Sequence, residues 1–158
     1  MKKWILYVIV LGFATYWASN LILWFPWSHS TILGITLMLT VAPLLWAYAT
    51  FLGLKTYPKD GLLKGALTIA FVFLLLAAIM DYIFFGHIRN AMEELYHPTT
   101  FYGYGFLLFW PLVLALVLKK KISRWKKNTT NIDLIKAGIS GLICFGVLTL
   151  FIMLGIEI

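Results

Sequence analysis

The amino-acid sequence predicts an all-α integral membrane protein: a compact bundle of five transmembrane helices with a short amphipathic outer-face segment. The first observation is composition, because 62% of the residues are hydrophobic, only 12% are charged and the mean hydropathy is +0.92. A soluble domain with so few charges could not keep its surface hydrated. The second is length: a span needs about 20 apolar residues. The 158 residues therefore form a single membrane domain, residues 1–158.

Five apolar stretches follow one another along the chain, separated by short polar connections. Lys2 and Lys3 precede the first stretch, which has the outline of a signal peptide but runs on through Trp24 and Phe25 without a small-residue cleavage site, so we expect a retained span. Prolines, beginning with Pro26, end the first two stretches where a helix cannot easily continue. The predicted spans are residues 4–25, 31–54, 62–85, 101–118 and 132–156.

Basic residues predict the orientation of the bundle, because Lys and Arg beside a span resist translocation. Twelve of the thirteen Lys and Arg residues lie at the N-terminus or flank the second and fourth connections, and only Arg89 lies in the third. We therefore expect a multi-pass cell-membrane protein with a cytoplasmic N-terminus and an extracytoplasmic C-terminus, whose constant partner is the lipid bilayer. The net charge of +7 does not indicate nucleic-acid binding, since the excess is spread over membrane-flanking loops.

The third connection contains the most polar segment of the predicted outer face, HIRNAMEELYH at residues 87–97. If it is helical, Glu93 and Glu94 each lie within about one turn of His97, so either carboxylate can share an ion with the imidazole. These ligand types suit zinc or a non-haem metal, which makes a divalent metal a candidate cofactor. The alternative, favoured by spacing alone, is a solvated mixed-charge loop in which Arg89 and His97 pair with Glu93.

Asp81 is predicted to lie inside the third span, about four residues from its outer end. A carboxylate in the membrane is costly, so it should face the bundle interior or a water-filled vestibule and have a partner. The alternative is a rim residue that reaches interfacial water. The available partners are Asn20, His29, Arg89 and the hydroxyls of Tyr16, Tyr82, Tyr102 and Tyr104. The residues predicted to bind a ligand are Asp81, Asn20, His29, Arg89, Tyr82 and Tyr102.

These features leave several classes of function open. One membrane-embedded carboxylate without a complete catalytic set favours a protein that binds or transports a small solute, an ion or a lipidic ligand. One alternative is a membrane-embedded enzyme, metal-dependent or using acid–base groups, that acts on lipid or a lipid-linked group. Another is a non-catalytic partner subunit or assembly factor. A homo-oligomer or a complex with another membrane protein is compatible with each class.

Overall fold

The computed structural model describes residues 1–155, apart from the side chains of residues 24, 25, 27, 28, 29 and 94. Within this part the chain is helical and contains no strand. The helices are α1 (Lys2–His29), α2 (Thr31–Lys55), α3 (Leu62–Ile83), α4 (Pro98–Val117), α5 (Lys119–Arg124) and α6 (Asn131–Met153). Five helices, all but the short α5, are long and apolar enough to span a membrane. The predicted number of apolar helices is thus confirmed.

The first helix ends later than predicted. The sequence places its end at Phe25, before Pro26, whereas α1 continues to His29, and the Ser30 N–H donates to the Pro26 carbonyl at 2.9 Å. A proline removes only its own donor, so its carbonyl still accepts the bond of the following turn. Ser30 then takes an extended conformation, and its hydroxyl accepts from the Leu33 N–H at 3.4 Å. A single residue therefore separates α1 from α2.

The other ends follow local capping rules. The predicted third span continues directly after α3 as a π-helical turn, Phe84–Ile88. α4 begins at Pro98, earlier than the predicted residue 101, because proline fits the first turn, where no N–H donor is needed. α6 begins at a capping box in which the Thr130 and Asp133 side chains each accept the other's backbone N–H. The predicted end of the fifth span, residue 156, lies outside the described residues.

The continuous helix considered for residues 87–97 does not form. The π-helical turn ends at Ile88, Asn90 has a positive φ of 50°, and a 3₁₀ turn follows at Met92–Tyr96. A left-handed residue cannot continue a right-handed α-helix, and asparagine adopts this conformation at low cost. The helix considered for residues 87–97 is therefore wrong, because the left-handed conformation of Asn90 interrupts it.

α1 is the central helix and packs against α2, α3 and α6, while α4 packs mainly on α3. The Trp4 indole N–H donates to the Gly53 carbonyl at 2.8 Å, which joins α1 to α2. Glycines let the helices approach closely: a Cβ atom at Gly12 would lie 2.9 Å from the Phe73 ring, and one at Gly53 would lie 2.9 Å from Ile69. These contacts leave little free space between α1, α2 and α3 around Gly12 and Gly53.

The basic connections meet at one end of the bundle. The Lys127 N–H donates to the Lys55 carbonyl at 3.0 Å, and the Lys126 ammonium pairs with Asp60 at 3.4 Å. The second and fourth connections are therefore neighbours, which is the arrangement that the charge pattern predicts. We call this the basic end, and we call the opposite end, with the third connection, the Asp81 end. The basic end carries Lys2, Lys3, Lys55, Lys59, Lys64, Lys119, Lys120, Lys121, Arg124, Lys126, Lys127 and Lys136.

α6 packs on α1 through a small residue and an aromatic pair. A Cβ atom at Gly141 would lie 2.6 Å from the Phe13 ring and 3.0 Å from the Ala14 Cα atom, which is backbone and cannot move independently. One turn further along, the Phe145 ring lies 4.6 Å from the Trp17 ring. The absence of a side chain at Gly141 therefore sets the distance between these helices.

Gly141→Ala should lower the free energy of unfolding by about 1–3 kcal/mol, because the added methyl group overpacks the α1–α6 contact. Gly146→Ala on the same helix is the matched control, since no atom lies within 4 Å of the position that its added methyl group would take. Thermal unfolding of both variants in a maltoside detergent, followed by tryptophan fluorescence, measures the difference. Equal melting temperatures would contradict the close approach of α1 and α6.

Candidate functional site

Three helices meet at the Asp81 carboxylate. The Tyr16 hydroxyl of α1 donates to Asp81 Oδ1 at 2.6 Å, and the Tyr104 hydroxyl of α4 donates to Oδ2 at 2.8 Å. Hydrogen bonds to a charged group are each worth about 1.5–3 kcal/mol. Asp81, itself on α3, therefore links α1 to α4 and has one bond on each oxygen. We call these three residues the tyrosine–aspartate clamp.

Helical spacing on α1 brings further polar groups to the clamp. Tyr16 and Asn20 are four residues apart and so lie on one face of the helix. The Asn20 amide donates to the Tyr16 carbonyl at 3.0 Å, which fixes the amide beside the phenol. On α3, Ala77 precedes Asp81 by one turn and is buried. Its small side chain leaves room beside the carboxylate, so the clamp borders open space rather than a packed core.

That space is an open-mouthed cavity of about 330 Å³ lined by α1, α2, α3 and the first half of α4. Trp46, Ala77 and Leu107 are buried and form its floor. Leu39 and Tyr102, 67% and 77% exposed, lie at its mouth between α2 and α4. Its lining is mostly apolar. The lining residues are Tyr16, Ser19, Asn20, Leu23, Met38, Leu39, Ala42, Pro43, Trp46, Ala77, Asp81, Phe85, Thr99, Thr100, Tyr102, Gly103, Tyr104, Phe106 and Leu107.

The floor closes the cavity towards the basic end. The Trp46 ring packs edge-on against Phe73 with 5.1 Å between ring centroids, and Phe73 in turn lies against Gly12. Beyond this layer, Val8 and Ile69 are completely buried. Among the described residues, the cavity is therefore bounded towards the basic end by the packed side chains of Trp46 and Phe73.

In the part of the chain that the structure describes, the Ser19 hydroxyl of the cavity wall is buried without a hydrogen-bond partner. Ser19 is only 6% exposed, and its Oγ atom makes no hydrogen bond within the described part of the chain. The same holds for the indole nitrogen of Trp17, which lies among the rings of Phe84 and Phe145. An unsatisfied buried polar group costs about 1–3 kcal/mol. Only Ser19 of these two lines the cavity, so its hydroxyl is available to a bound molecule.

The predicted ligand-binding residues separate into two groups. Asp81, Asn20 and Tyr102 line the cavity. Tyr82 is exposed and packs its ring edge-on against His87 at 5.6 Å, and the Arg89 guanidinium lies 5.8 Å from the Phe85 ring centroid; neither Tyr82 nor Arg89 lines the cavity. The side chain of the sixth residue, His29, lies outside the described residues.

Sequence reasoning did not find the wall contributed by α2. Its lining residues are Met38, Leu39, Ala42, Pro43 and Trp46. They are apolar and resemble any membrane helix, so no sequence signal separates them from lipid-facing residues. Ser19 was also missed, although its position next to Asn20 on α1 is a usable signal.

Metal binding by Glu93, Glu94 and His97 stays a prediction. Within the described residues, no group of three or more His, Cys, Asp and Glu side chains is placed to hold a metal ion. His97 Nδ1 lies 2.9 Å from the Thr99 hydroxyl, and Glu93 is exposed. The side chain of Glu94 lies outside the described residues.

Protein-family models, curated proteins and solved structures were compared with this chain, and none of them matches it.

Tyr16→Phe and Asp81→Ala should be coupled in a double-mutant cycle by about 1–3 kcal/mol, because each substitution removes the same hydrogen bond. Reversible unfolding with a denaturing detergent, performed on the two single variants and the double variant, measures this coupling energy. Tyr48→Phe is the matched control, since Tyr48 is exposed on α2 and should combine additively with Asp81→Ala. Additive effects of Tyr16 and Asp81 would rule out the bond as a stabilising link.

Proposed function

We propose that this is a small multi-pass membrane protein that binds a small ligand in the cavity at the Asp81 end. The observation that supports the proposal is the clamped carboxylate beside a mostly apolar cavity of about 330 Å³. Ligand sites are concave, largely apolar and equipped with a few well-placed polar groups. A carboxylate within an apolar helix is costly to maintain, and a ligand that uses it accounts for its presence.

The shape of the cavity favours an amphiphilic organic ligand over a hydrated ion. Its mouth, at Leu39 and Tyr102, opens between two apolar helices, and its polar groups gather on one wall around Asp81 and Asn20. A molecule with an apolar body along α2 and a polar group at Asp81 fits both features. A bare ion would exchange its hydration shell for an apolar lining and gain few ligands.

Binding is better supported than transport. The Trp46 and Phe73 rings pack against each other beneath the cavity, and Val8 and Ile69 below them are completely buried. Transport would need a second conformation in which this layer opens towards the basic end. We therefore propose a binding protein, with any transport step dependent on separation of the Trp46 and Phe73 rings.

We further propose that the basic end faces the cytoplasm and that the cavity lies in the extracytoplasmic half of the cell membrane. The support is the clustering of Lys and Arg residues: Lys55 and Lys127 from different connections are in contact, and Arg89 is the one Lys or Arg residue of the third connection. Lys and Arg beside a span resist translocation. A ligand would then reach the cavity from the outer surface or from the outer leaflet.

Gly103→Leu should abolish ligand retention because its side chain is added to the cavity wall, whereas Gly105→Leu on the same helix should retain the ligand. Neither glycine has an atom within 4 Å of an added Cβ, so both variants should fold. Native mass spectrometry of protein extracted in a mild nonionic detergent detects a retained small molecule or lipid. Asp81→Asn should weaken ligand affinity about tenfold, which corresponds to about 1.4 kcal/mol of lost binding free energy and lowers the retained mass signal. The same retained mass in wild type, Gly103→Leu and Asp81→Asn would contradict the proposed site.

His97→Cys in a Cys144→Ser background should react with a membrane-impermeant thiol reagent in whole cells, because the proposed orientation exposes the third connection outside. Lys120→Cys in the same background is the control at the basic end and should react only after the cells are opened. Labelling is read from the mass shift of the purified protein. The reverse pattern of labelling would overturn the orientation.

A further inference from the structure

The charged and polar groups around the cavity restrict the chemical class of its ligand. This inference rests on the proposed function: we infer that the ligand is an organic cation with an ammonium group on an apolar body, and that the ammonium group binds at Asp81. Three observations support it: the partners of Asp81, the residue types of the cavity lining, and the unpartnered Ser19 hydroxyl.

Asp81 makes no ion pair within the described part of the chain. Its two partners there, Tyr16 and Tyr104, are neutral phenols that supply dipoles but no positive charge. At the basic end, by contrast, Asp60 and Asp133 are paired with the ammonium groups of Lys126 and Lys127 at 3.4 Å and 2.7 Å. A carboxylate away from bulk water is stabilised most by a hydrogen-bonded opposite charge. A cationic ligand supplies that charge.

The cavity lining excludes anionic ligands. None of its lining residues in the described part of the chain is Lys, Arg or His. A phosphate, sulfate or carboxylate group in this space would therefore face Asp81 without a counter-charge. Aromatic rings form much of the wall, and their faces attract cations and not anions. These rings belong to Tyr16, Trp46, Phe85, Tyr102, Tyr104 and Phe106.

The hydrogen-bond acceptors of the cavity match an ammonium group. Each Asp81 oxygen accepts one phenol, and a carboxylate oxygen can accept two donors, so one position remains on each. The buried Ser19 Oγ atom lines the same cavity and has no partner in the described chain. A primary ammonium group has three N–H donors, which are enough for the carboxylate and this hydroxyl. An apolar chain attached to it can leave through the mouth between α2 and α4, beside Leu39.

Three probes of equal chain length test the charge preference: octylammonium, octanol and octyl sulfate, titrated by calorimetry into protein in a maltoside detergent. We expect octylammonium to bind about tenfold more tightly than octanol, and octyl sulfate to bind most weakly. Asp81→Asn should reduce the preference for octylammonium over octanol to about twofold or less, and Ser19→Ala should lower octylammonium affinity with a smaller effect on octanol. The comparison of probes on the wild-type protein needs no variant, so it holds even if Asp81→Asn does not fold.

The comparison of Gly103→Leu with its control Gly105→Leu distinguishes failure of this inference from failure of the proposed function. If octanol binds as tightly as octylammonium and Gly103→Leu abolishes both, the ligand site stands and the cation inference is overturned. If no probe binds, or Gly103→Leu binds them as Gly105→Leu does, both proposals fail.

A competition measurement distinguishes the two possible sources of the ammonium group, a lipid headgroup and a free amine. Displacement of octylammonium by phosphatidylethanolamine in mixed micelles supports the inference and identifies a lipid headgroup as the source. Binding of octylammonium that this lipid does not displace supports the inference and identifies a free amine.

Discussion

The hydrogen bonds from Tyr16 and Tyr104 to the Asp81 carboxylate are the interaction on which the Asp81 end depends. α1 and α4 both pack on α3, and a single carboxylate on α3 holds a side chain from each. The clamp therefore fixes two walls of the cavity relative to each other. It also leaves both carboxylate oxygens with remaining acceptor capacity, so the group that positions the helices is the same group that can contact a ligand.

The helices pack closely in one half of the bundle and leave a cavity between them in the other half. In the half near the basic end, glycines such as Gly12 and Gly53 bring helices into close contact, and the Trp4 indole bonds directly to backbone. In the other half, the walls are held by polar bonds and aromatic rings and leave about 330 Å³ between them. A tightly packed base supports an open pocket, because rigid packing below Trp46 keeps the cavity floor in place.

Hydropathy and charge predicted the helix number and the grouping of basic residues, because both depend on composition over long windows. They predicted the ends less well: the capacity of α1 to continue through Pro26 and the left-handed turn at Asn90 depend on single residues. At the site, Asp81 was predicted because a carboxylate in a span is rare. The specific roles of Tyr16 and Tyr104 could not be separated from those of other tyrosines, since they require the relative rotation of three helices.

A high-resolution experimental map of the protein, prepared in a mild nonionic detergent, tests the central account most directly. The account predicts that both Asp81 oxygens lie within hydrogen-bond distance of the Tyr16 and Tyr104 hydroxyls and that non-protein density contacts the carboxylate from the cavity. An Asp81 side chain turned away from both phenols, with protein side chains filling the space above Trp46, would contradict it.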